Sequence, residues 1–507
     1  VANIDSSSTF VNSSKGRQLS DDPRQQILDA RDDAYAGCAA ARRRVGLLLD
    51  PGSFVEYGLL AGRTSDVDDD SPSDGLVGGV GEIDGHPTVV AAFDRAVADG
   101  THSERNQRKL GKLIYLAVTN RWPFVLFVEG DGARRDDPRP APPIVQYTRA
   151  RWDTLDGLAE LSGWAPTVAI ITGDALDASA AVAMMCDTVI GVAGTGLGGT
   201  DSRRDDRSCR SVEEHAARGD LDVVVADDHE AAATARSYLG HWFGIPGDGE
   251  ISPEHDAIAT LVPDNRRRPY DMAKVVRAFA DRDSLLELGA GWARGMLTYL
   301  ARLGGVPVGI FANQPFSSRA GAIDAAAADK AARFVELCDA YELPLISFVD
   351  NPGYMVGPDA EREGIARHHA RPLSAIHHRT VPLYTVQLRK AYGLGPFAMS
   401  GYGSSRGMPT LRLSWPSVES GGMSLEGAAY LVKRKEIRAA DSAEEARAIR
   451  DNYAEDMRDV ASGVRAGRTY SFDDVVVPEE TRARILTMVR RWQRTLPSAK
   501  KHPVDPR

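Results

Sequence analysis

Two short apolar runs, Phe124–Val128 and Leu345–Val349, stand out along the chain. Each follows a stretch of helical periodicity and a proline, and each leads into a loop containing glycine. In the first stretch Leu110, Leu113, Ile114 and Ala117 recur at the spacing of one helix face. The runs are short, bounded and rich in β-formers, which predicts buried strands. The two segments are displaced by one constant interval: Lys109, Pro123 and Gly132 correspond to Lys330, Pro344 and Gly353, each 221 residues on.

The correspondence extends both ways. Ile83–Val90 and Leu303–Ile310 both read as strand, glycine turn, strand. Asp50–Glu56 parallels Asp281–Leu288, and Pro166–Thr172 parallels Pro382–Leu388. One unit of roughly 250 residues therefore occurs twice. Alternating strands and helices predict an α/β class with mainly parallel strands and right-handed crossovers. Gly244–Pro269, rich in Gly, Pro, Asp and Arg, reads as the junction. The expected organisation is an arm with little fixed structure over 1–20, a first unit over 21–255 and a second over 256–507. Ser202–Arg210 reads as a charged loop, and Leu496–Arg507 as a loose basic tail.

Composition narrows the function. A net charge of −10 over 507 residues disfavours general nucleic-acid binding, which depends on neutralising phosphates. The arginine runs Arg42–Arg44 and Arg266–Arg268 read as solvated surface or as contacts to a phosphate or partner. Cys38, Cys186, Cys209 and Cys338 form no C-x-x-C pair, and Cys186 and Cys338 sit in apolar surroundings as core thiols. The expectation is a reducing, cytoplasmic setting. No apolar run reaches the length of about 20 residues that a membrane span needs, and the polar, Ser-rich start has no signal-peptide core.

In open α/β sheets, ligands sit beyond the carboxyl ends of strands. The first unit offers Glu129–Arg134 and Gly173–Ser179 there; the second offers Asp350–Tyr354 and Ala391–Pro396. Paired backbone N–H groups from such loops can form an oxyanion hole. A glycine after a strand is as readily a plain turn, but duplication of the paired loops favours a site. The chain has no G-x-S-x-G elbow and no Walker loop. His368-His369 and His377-His378 fall on one predicted helix, where a solvated or packed face is expected in preference to metal.

The motifs resemble the carboxyltransferase (β) subunits of biotin-dependent acyl-CoA carboxylases, of the crotonase-like superfamily. The resemblance covers roughly Leu47–Ile437 and rests on an ordered set: Leu49–Glu56, Asp74-Gly75 with Gly81–Gly85, Phe311–Pro315, Asp329–Phe334, Arg389–Gly393 and Trp415-Pro416. It implies two tandem crotonase-like domains. It implies transfer of a carboxyl group from carboxybiotin, borne on a separate carrier protein, to the α-carbon of an acyl-CoA. The first unit would bind acyl-CoA and the second biotin. A biotin carboxylase and carrier subunit are the implied partners, and a homo-hexamer, a trimer of dimers, the implied assembly. Neither nucleic acid nor membrane is implied.

Carried over position by position, the implied oxyanion donors are Asp131 and Gly132, Asp177 and Ala178, and Leu394 and Gly395. Ala133, Arg134, Gly353, Tyr392, Gly393 and Phe397 would line the substrates, with Phe397 at the position that tunes acyl-group choice. The family has glycine where this chain has Asp131, Asp177, Ala178 and Leu394. A backbone N–H survives such a change, but a positive φ at Asp or Leu costs on the order of 1 kcal/mol. Two carboxylates near a developing enolate would oppose it unless neutralised or turned away. Two alternatives follow: a repurposed crotonase-like enzyme (decarboxylase, hydrolase or hydratase) using Asp131, Asp177 or Glu129, or a non-catalytic assembly subunit. Arg134, Arg389 and Lys390 are either CoA-phosphate ligands or structural.

Overall fold

A computed structural model describes residues 22–61, 73–134, 152–201, 206–244, 247–266, 268–401, 407–492, 494–496 and 498–506. The expected arm over 1–20 lies outside them.

Among the described residues the first sheet contains β1 (Val55–Glu56), β2 (Leu76–Ile83), β3 (His86–Phe93), β4 (Phe124–Gly130), β5 (Thr167–Leu176), β6 (Thr188–Val192), β7 (Gly196–Asp201), β8 (Asp206–Ser211) and β9 (Val223–Val225). The second contains β10 (Leu286–Glu287), β11 (Met296–Leu303), β12 (Val306–Asn313), β13 (Leu345–Asn351), β14 (Leu383–Tyr392), β15 (Leu411–Ser414), β16 (Glu419–Gly421) and β17 (Asp474–Val475). Their spatial orders match: β1-β2-β3-β4-β5-β6-β9 and β10-β11-β12-β13-β14-β15-β17. β7 pairs with the end of β5 as β16 pairs with the end of β14. In each sheet the first three strands are antiparallel and the central ladders parallel.

The duplication reaches fine detail. β4 and β13 begin and end 221 residues apart, and helix Glu104–Asn120 has its counterpart in Ala325–Ala340. The β4–β5 ladder slips register between Val128 and Gly130, and the β13–β14 ladder slips between Val349 and Asn351. Isolated bridges His102–Ala133 and Ile323–Tyr354 repeat at the same interval. The hairpins β2–β3 and β11–β12 turn through Asp84-Gly85 and Gly304-Gly305, all at positive φ, as two-residue hairpin loops require.

Leu110, Leu113, Ile114 and Ala117 are buried on helix Glu104–Asn120, which starts in a capping box of Ser103 and Asn106. One hydrophobic cluster draws from both units, with Val125 and Ile170 from the first sheet and Phe311 and Leu337 from the second unit. Helix Asp228–Trp242, through Ala235, Leu239 and Trp242, lies in the same cluster. Polar links cross the same contact. Arg333 pairs with Asp222 at 3.2 Å, and Tyr341 donates to Asp187 at 2.5 Å.

Two expectations are corrected. Asp206–Arg210 of the expected charged loop belongs to strand β8, because an edge strand needs only backbone partners and β7 supplies them. The tail is docked, not loose. Lys500 Nζ donates to Ala159 O at 3.1 Å, Val504 N–H to Ser162 Oγ at 3.0 Å, and His502 Nε2 lies 3.1 Å from Asp339 Oδ2. Lys501 pairs with Glu342. The tail thus meets backbone carbonyls and a hydroxyl on the first unit and acidic side chains on the second.

Among the described residues no helix is long and apolar enough to cross a membrane, and no group of three or more His, Cys, Asp or Glu could hold a metal ion. Cys38, Cys186 and Cys338 are buried free thiols.

Candidate active site

In the first unit the loop after β4 turns through Gly130 (φ 122°) and Gly132 (φ 79°). It lies against the start of helix Ala178–Met184. A Cβ on Gly132 would stand 3.1 Å from the Asp177 Cβ and 3.3 Å from Ala178 N. The structure thus brings together Gly132, Asp177 and Ala178, which are distant in sequence. Asp177 holds φ 51°, ψ −113°, a conformation suited to glycine. Its N–H donates to Gly198 O at 2.9 Å, so that donor is spent. The N–H groups of Gly132 and Ala178 meet no acceptor among the described residues. The Asp177 side chain is exposed, with Oδ1 toward Gly199; Asp131 is half-buried.

The second unit repeats the arrangement. Gly353 (φ 115°) approaches the loop after β14, and a Cβ on it would lie 3.2 Å from Tyr392 O. Gly393 N–H donates to Gly421 O at 3.0 Å, as Asp177 does to Gly198. Pro396 has no N–H, and Phe397 N–H bonds Leu394 O at 3.0 Å. Leu394 and Gly395 retain N–H groups with no acceptor among the described residues. Leu394 sits at φ −84°, without strain. Beside them opens a cavity of about 400 Å³ lined by Leu394, Pro396, Phe397, Gly393, Gln387 and Arg412, among others.

Under each loop lies a buried carboxylate, and the two are 221 residues apart. Glu129 accepts the Arg95 N–H at 2.7 Å and pairs with Arg44 at 3.0 Å. Asp350 pairs with Arg389 at 3.0 Å and accepts from Tyr270 Oη at 2.8 Å and Lys390 N–H at 3.1 Å. Burial, then the nearby Asp350 charge, pushes the Tyr270 hydroxyl well above its ordinary pKa. Two lysines repeat as well. Lys109 bonds Gly58 O at 3.3 Å, and Lys330 bonds Gly289 O at 2.8 Å and Trp292 O at 3.0 Å. Burial lowers Lys330 to about 8, against the pull of Glu287 and Asp222.

Several sequence-nominated side chains are engaged inside the protein. Arg134 is buried, donating to Thr101 Oγ1 at 3.1 Å and Thr101 O at 3.2 Å. Tyr392 donates to Glu419 at 2.7 Å, and burial raises its hydroxyl to about 12. Of the first arginine run, Arg42 pairs with Glu56, Arg43 with Asp228 and Arg44 with Glu129. Ala133 is exposed. The four histidines share helix Ile365–His378: His368 bonds Asp329 at 2.9 Å, His369 stacks on Tyr354, and His378 bonds the Ser374 carbonyl.

Sequence reasoning missed one pair in the first site. His102 Nε2 lies 3.1 Å from Ser179 Oγ, and both residues are buried. They are 77 residues apart and carry no motif.

Known proteins resemble the chain over most of its length. A family model described as "Carboxyl transferase domain" matches residues 33–504. The methylmalonyl-CoA carboxyltransferase 12S subunit of Propionibacterium freudenreichii subsp. shermanii is 32% identical over 502 residues, spanning 92% of this chain and 91% of that protein. The biotin-dependent long chain acyl-coenzyme A carboxylase beta4 subunit of Mycobacterium tuberculosis is 32% identical over 489 residues, covering 92% and 90%. The crystal structure of transcarboxylase 12S, described as a hexamer assembly with methylmalonyl-coenzyme A bound, gives a TM-score of 0.83 at 29% identity, covering 96% of this chain and all of that one. A single-chain, multi-domain long-chain acyl-CoA carboxylase gives 0.82 at 33% identity over 92% of this chain, which spans 48% of that longer polypeptide.

Proposed function

Because this chain belongs to the carboxyl transferase domain family, we propose that it moves a carboxyl group from carboxybiotin, on a separate carrier protein, to the α-carbon of an acyl-CoA. The observation that carries the reading is the match over residues 33–504, which takes in both loop pairs. The first unit takes the acyl-CoA and the second takes the biotin. We set their junction between residues 255 and 256.

When bound, biotin supplies the carboxyl group and a ureido nitrogen able to take the α-proton. The chain's own part is electrostatic. Gly132 and Ala178 present N–H groups to the thioester oxygen, which gains charge as the α-proton leaves. Leu394 and Gly395 present theirs to the ureido oxygen. Preorganised donors of this kind stabilise the developing charge by several kcal/mol per site, at roughly 3 kcal/mol per donor. The cavity beside Leu394 fits a bicyclic ring: its walls include Leu394, Pro396 and Phe397, and Gln387 offers a polar edge.

Exposure of Asp177 supports the reading, since a hydrated carboxylate opposes the enolate less than a buried one. Asp177 then needs no role as acid or base, and the repurposed-enzyme and non-catalytic alternatives are not favoured. By analogy with the 12S relative the chain assembles as a hexamer and works with a biotin carboxylase and carrier subunit. A cytoplasmic location belongs to the same reading, supported by the free thiols.

The test is carboxylation of a panel of short to long acyl-CoAs with a carboxylated carrier or free carboxybiotin. Label from carboxybiotin is expected in an α-carboxyacyl-CoA. A folded chain that carboxylates none of the panel overturns the proposal.

A further inference from the structure

His102 touches both walls of the first site. Its N–H donates to Gly132 O at 2.5 Å, and its carbonyl accepts the Arg134 N–H at 2.9 Å, so its backbone holds the loop after β4. Its ring stacks on Phe93 with centroids 4.8 Å apart and meets Ser179 Oγ at 3.1 Å. Ser179 is the second residue of helix Ala178–Met184, next to Ala178. One residue therefore links the wall that presents Gly132 N–H to the wall that presents Ala178 N–H. With Ser179 fully buried and His102 nearly so, neither is presented as a nucleophile.

The second unit solves the same problem differently. Its bridge residue, at the interval of 221, is Ile323, and Gly395 stands where Ser179 does, at the interval of 216 that relates β5 to β14. Neither residue has a side chain that can make the bond. There Asn351 spans the gap: Oδ1 accepts the Gly353 N–H at 3.0 Å, Nδ2 donates to Asn313 at 3.0 Å, and a Cβ on Gly395 would fall 2.2 Å from Oδ1. The first unit has Gly130 at that place, with no side chain to offer.

We propose that His102, acting through Ser179, is the positioning residue that sets the spacing of the Gly132 and Ala178 N–H groups, replacing in the first unit the clamp that Asn351 makes in the second. Rigid spacing matters because a donor displaced by about 1 Å loses much of its hold on the charged oxygen. This inference rests on the reading that the first unit stabilises an enolate.

The test measures binding of two ligands by calorimetry: a saturated acyl-CoA thioether and a CoA analogue bearing a nitronate in place of the enolate. The parent chain is compared with Ser179→Ala, His102→Leu and His102→Gln, with melting temperature as the check on folding. The parent is expected to prefer the nitronate. Ser179→Ala and His102→Leu are expected to cut that preference about tenfold while leaving thioether affinity unchanged, and to lower kcat with little change in KM for acyl-CoA. His102→Gln, which keeps a polar atom near the Nε2 position, is expected to recover most of it. The double variant should be no worse than either single one, since both remove one link. A preference unchanged in folded Ser179→Ala overturns the inference while leaving the proposed function standing. A parent with no preference for the nitronate overturns the enolate reading of the first unit, and this inference with it.

Discussion

Arg389 and Gly173 occupy corresponding positions on β14 and β5, and the difference between them determines how each unit neutralises its buried carboxylate. In the second unit the Arg389 guanidinium stacks on Tyr270, 4.6 Å from the ring centroid, and pairs with Asp350. In the first, Gly173 leaves room for Glu129, whose Oε2 would lie 2.9 Å from a Cβ there, and Arg44 arrives from helix Ala39–Leu48. Removing Arg389 leaves Asp350, with no exposed surface, only the Lys390 ammonium 3.9 Å away and the neutral donors Tyr270 and Lys390 N–H. Arg389→Met is expected to destabilise the chain by about 3–5 kcal/mol in chemical denaturation, and Asp350→Asn in the same chain to restore part of it.

Gly395 has no room for a side chain. A Cβ would meet Asn351 Oδ1 at 2.2 Å and Gly353 Cα at 2.9 Å, whereas one on the exposed Gly46 would meet nothing within 4 Å. Gly395→Ala is expected to reduce carboxyl transfer at least tenfold, the effect of misplacing an oxyanion donor. Gly46→Ala should keep parental kcat within about twofold. Steady-state kinetics on both variants decides.

Asp177 holds a positive φ, a region that favours glycine. Asp177→Gly is expected to raise stability by roughly 1 kcal/mol, read as a higher denaturation midpoint. Removal of the carboxylate is also expected to raise kcat in the carboxylation assay.

Phe397 lines the second cavity, and the family resemblance gives this position the choice of acyl group, which requires an acyl chain held by a facing first unit to reach it. Phe397→Asp is expected to change relative rates across acyl-CoA chain lengths more than it changes the melting temperature. Identical rate ratios in variant and parent would refute this.

Docking of the tail depends on pH. The hydrogen bond to Asp339 raises the His502 imidazole above 6.5, although burial opposes it. Burial alone would raise Asp339, but bonds from His502 and the Thr380 and Val381 N–H groups, with the Lys501 charge, hold it below 3.8. The His502 contribution is complete below about pH 6.5 and fades as pH rises through the elevated value. The Asp339 contribution is complete above about pH 4 and is lost as pH falls through the depressed value. Glu336, also near His502, reinforces its charge. Hydrogen exchange of Lys501–Val504 is expected to be slowest, after correction for intrinsic rates, between these limits. His502→Leu should flatten the alkaline side.

Much of this architecture can be read from the chain because it is stated twice. Lys109 and Lys330, or Pro123 and Pro344, mark corresponding elements, and periodicity places Leu110 and Leu113 on the buried face of their helix. Loops containing Gly132 and Gly395 were legible because the paired loops occur in both units; a glycine after a strand would by itself read as a plain turn. What stayed hidden depends on contacts between distant residues. Nothing local in Asp206–Ser211 indicates an edge strand, since its partner is backbone. Nothing in Lys500–Val504 announces Asp339 or Ser162. Arg134 and Tyr392 look available in sequence, and only packing shows them turned onto Thr101 and Glu419. His102 and Ser179 differ from their counterparts Ile323 and Gly395, a contrast that gains meaning only from the matching places of the two units.

The register slips at Val128/Gly130 and Val349/Asn351 bear on history. A slip arises from one irregularity in one strand, and nothing in strand pairing makes two unrelated ladders acquire it at the same residue. The irregularity is therefore older than the doubling of the chain. A single ancestral unit already had its kinked strand and the loop that the kink aims. The contrasting clamps, Asn351 in one copy and His102 with Ser179 in the other, are later departures from that common plan.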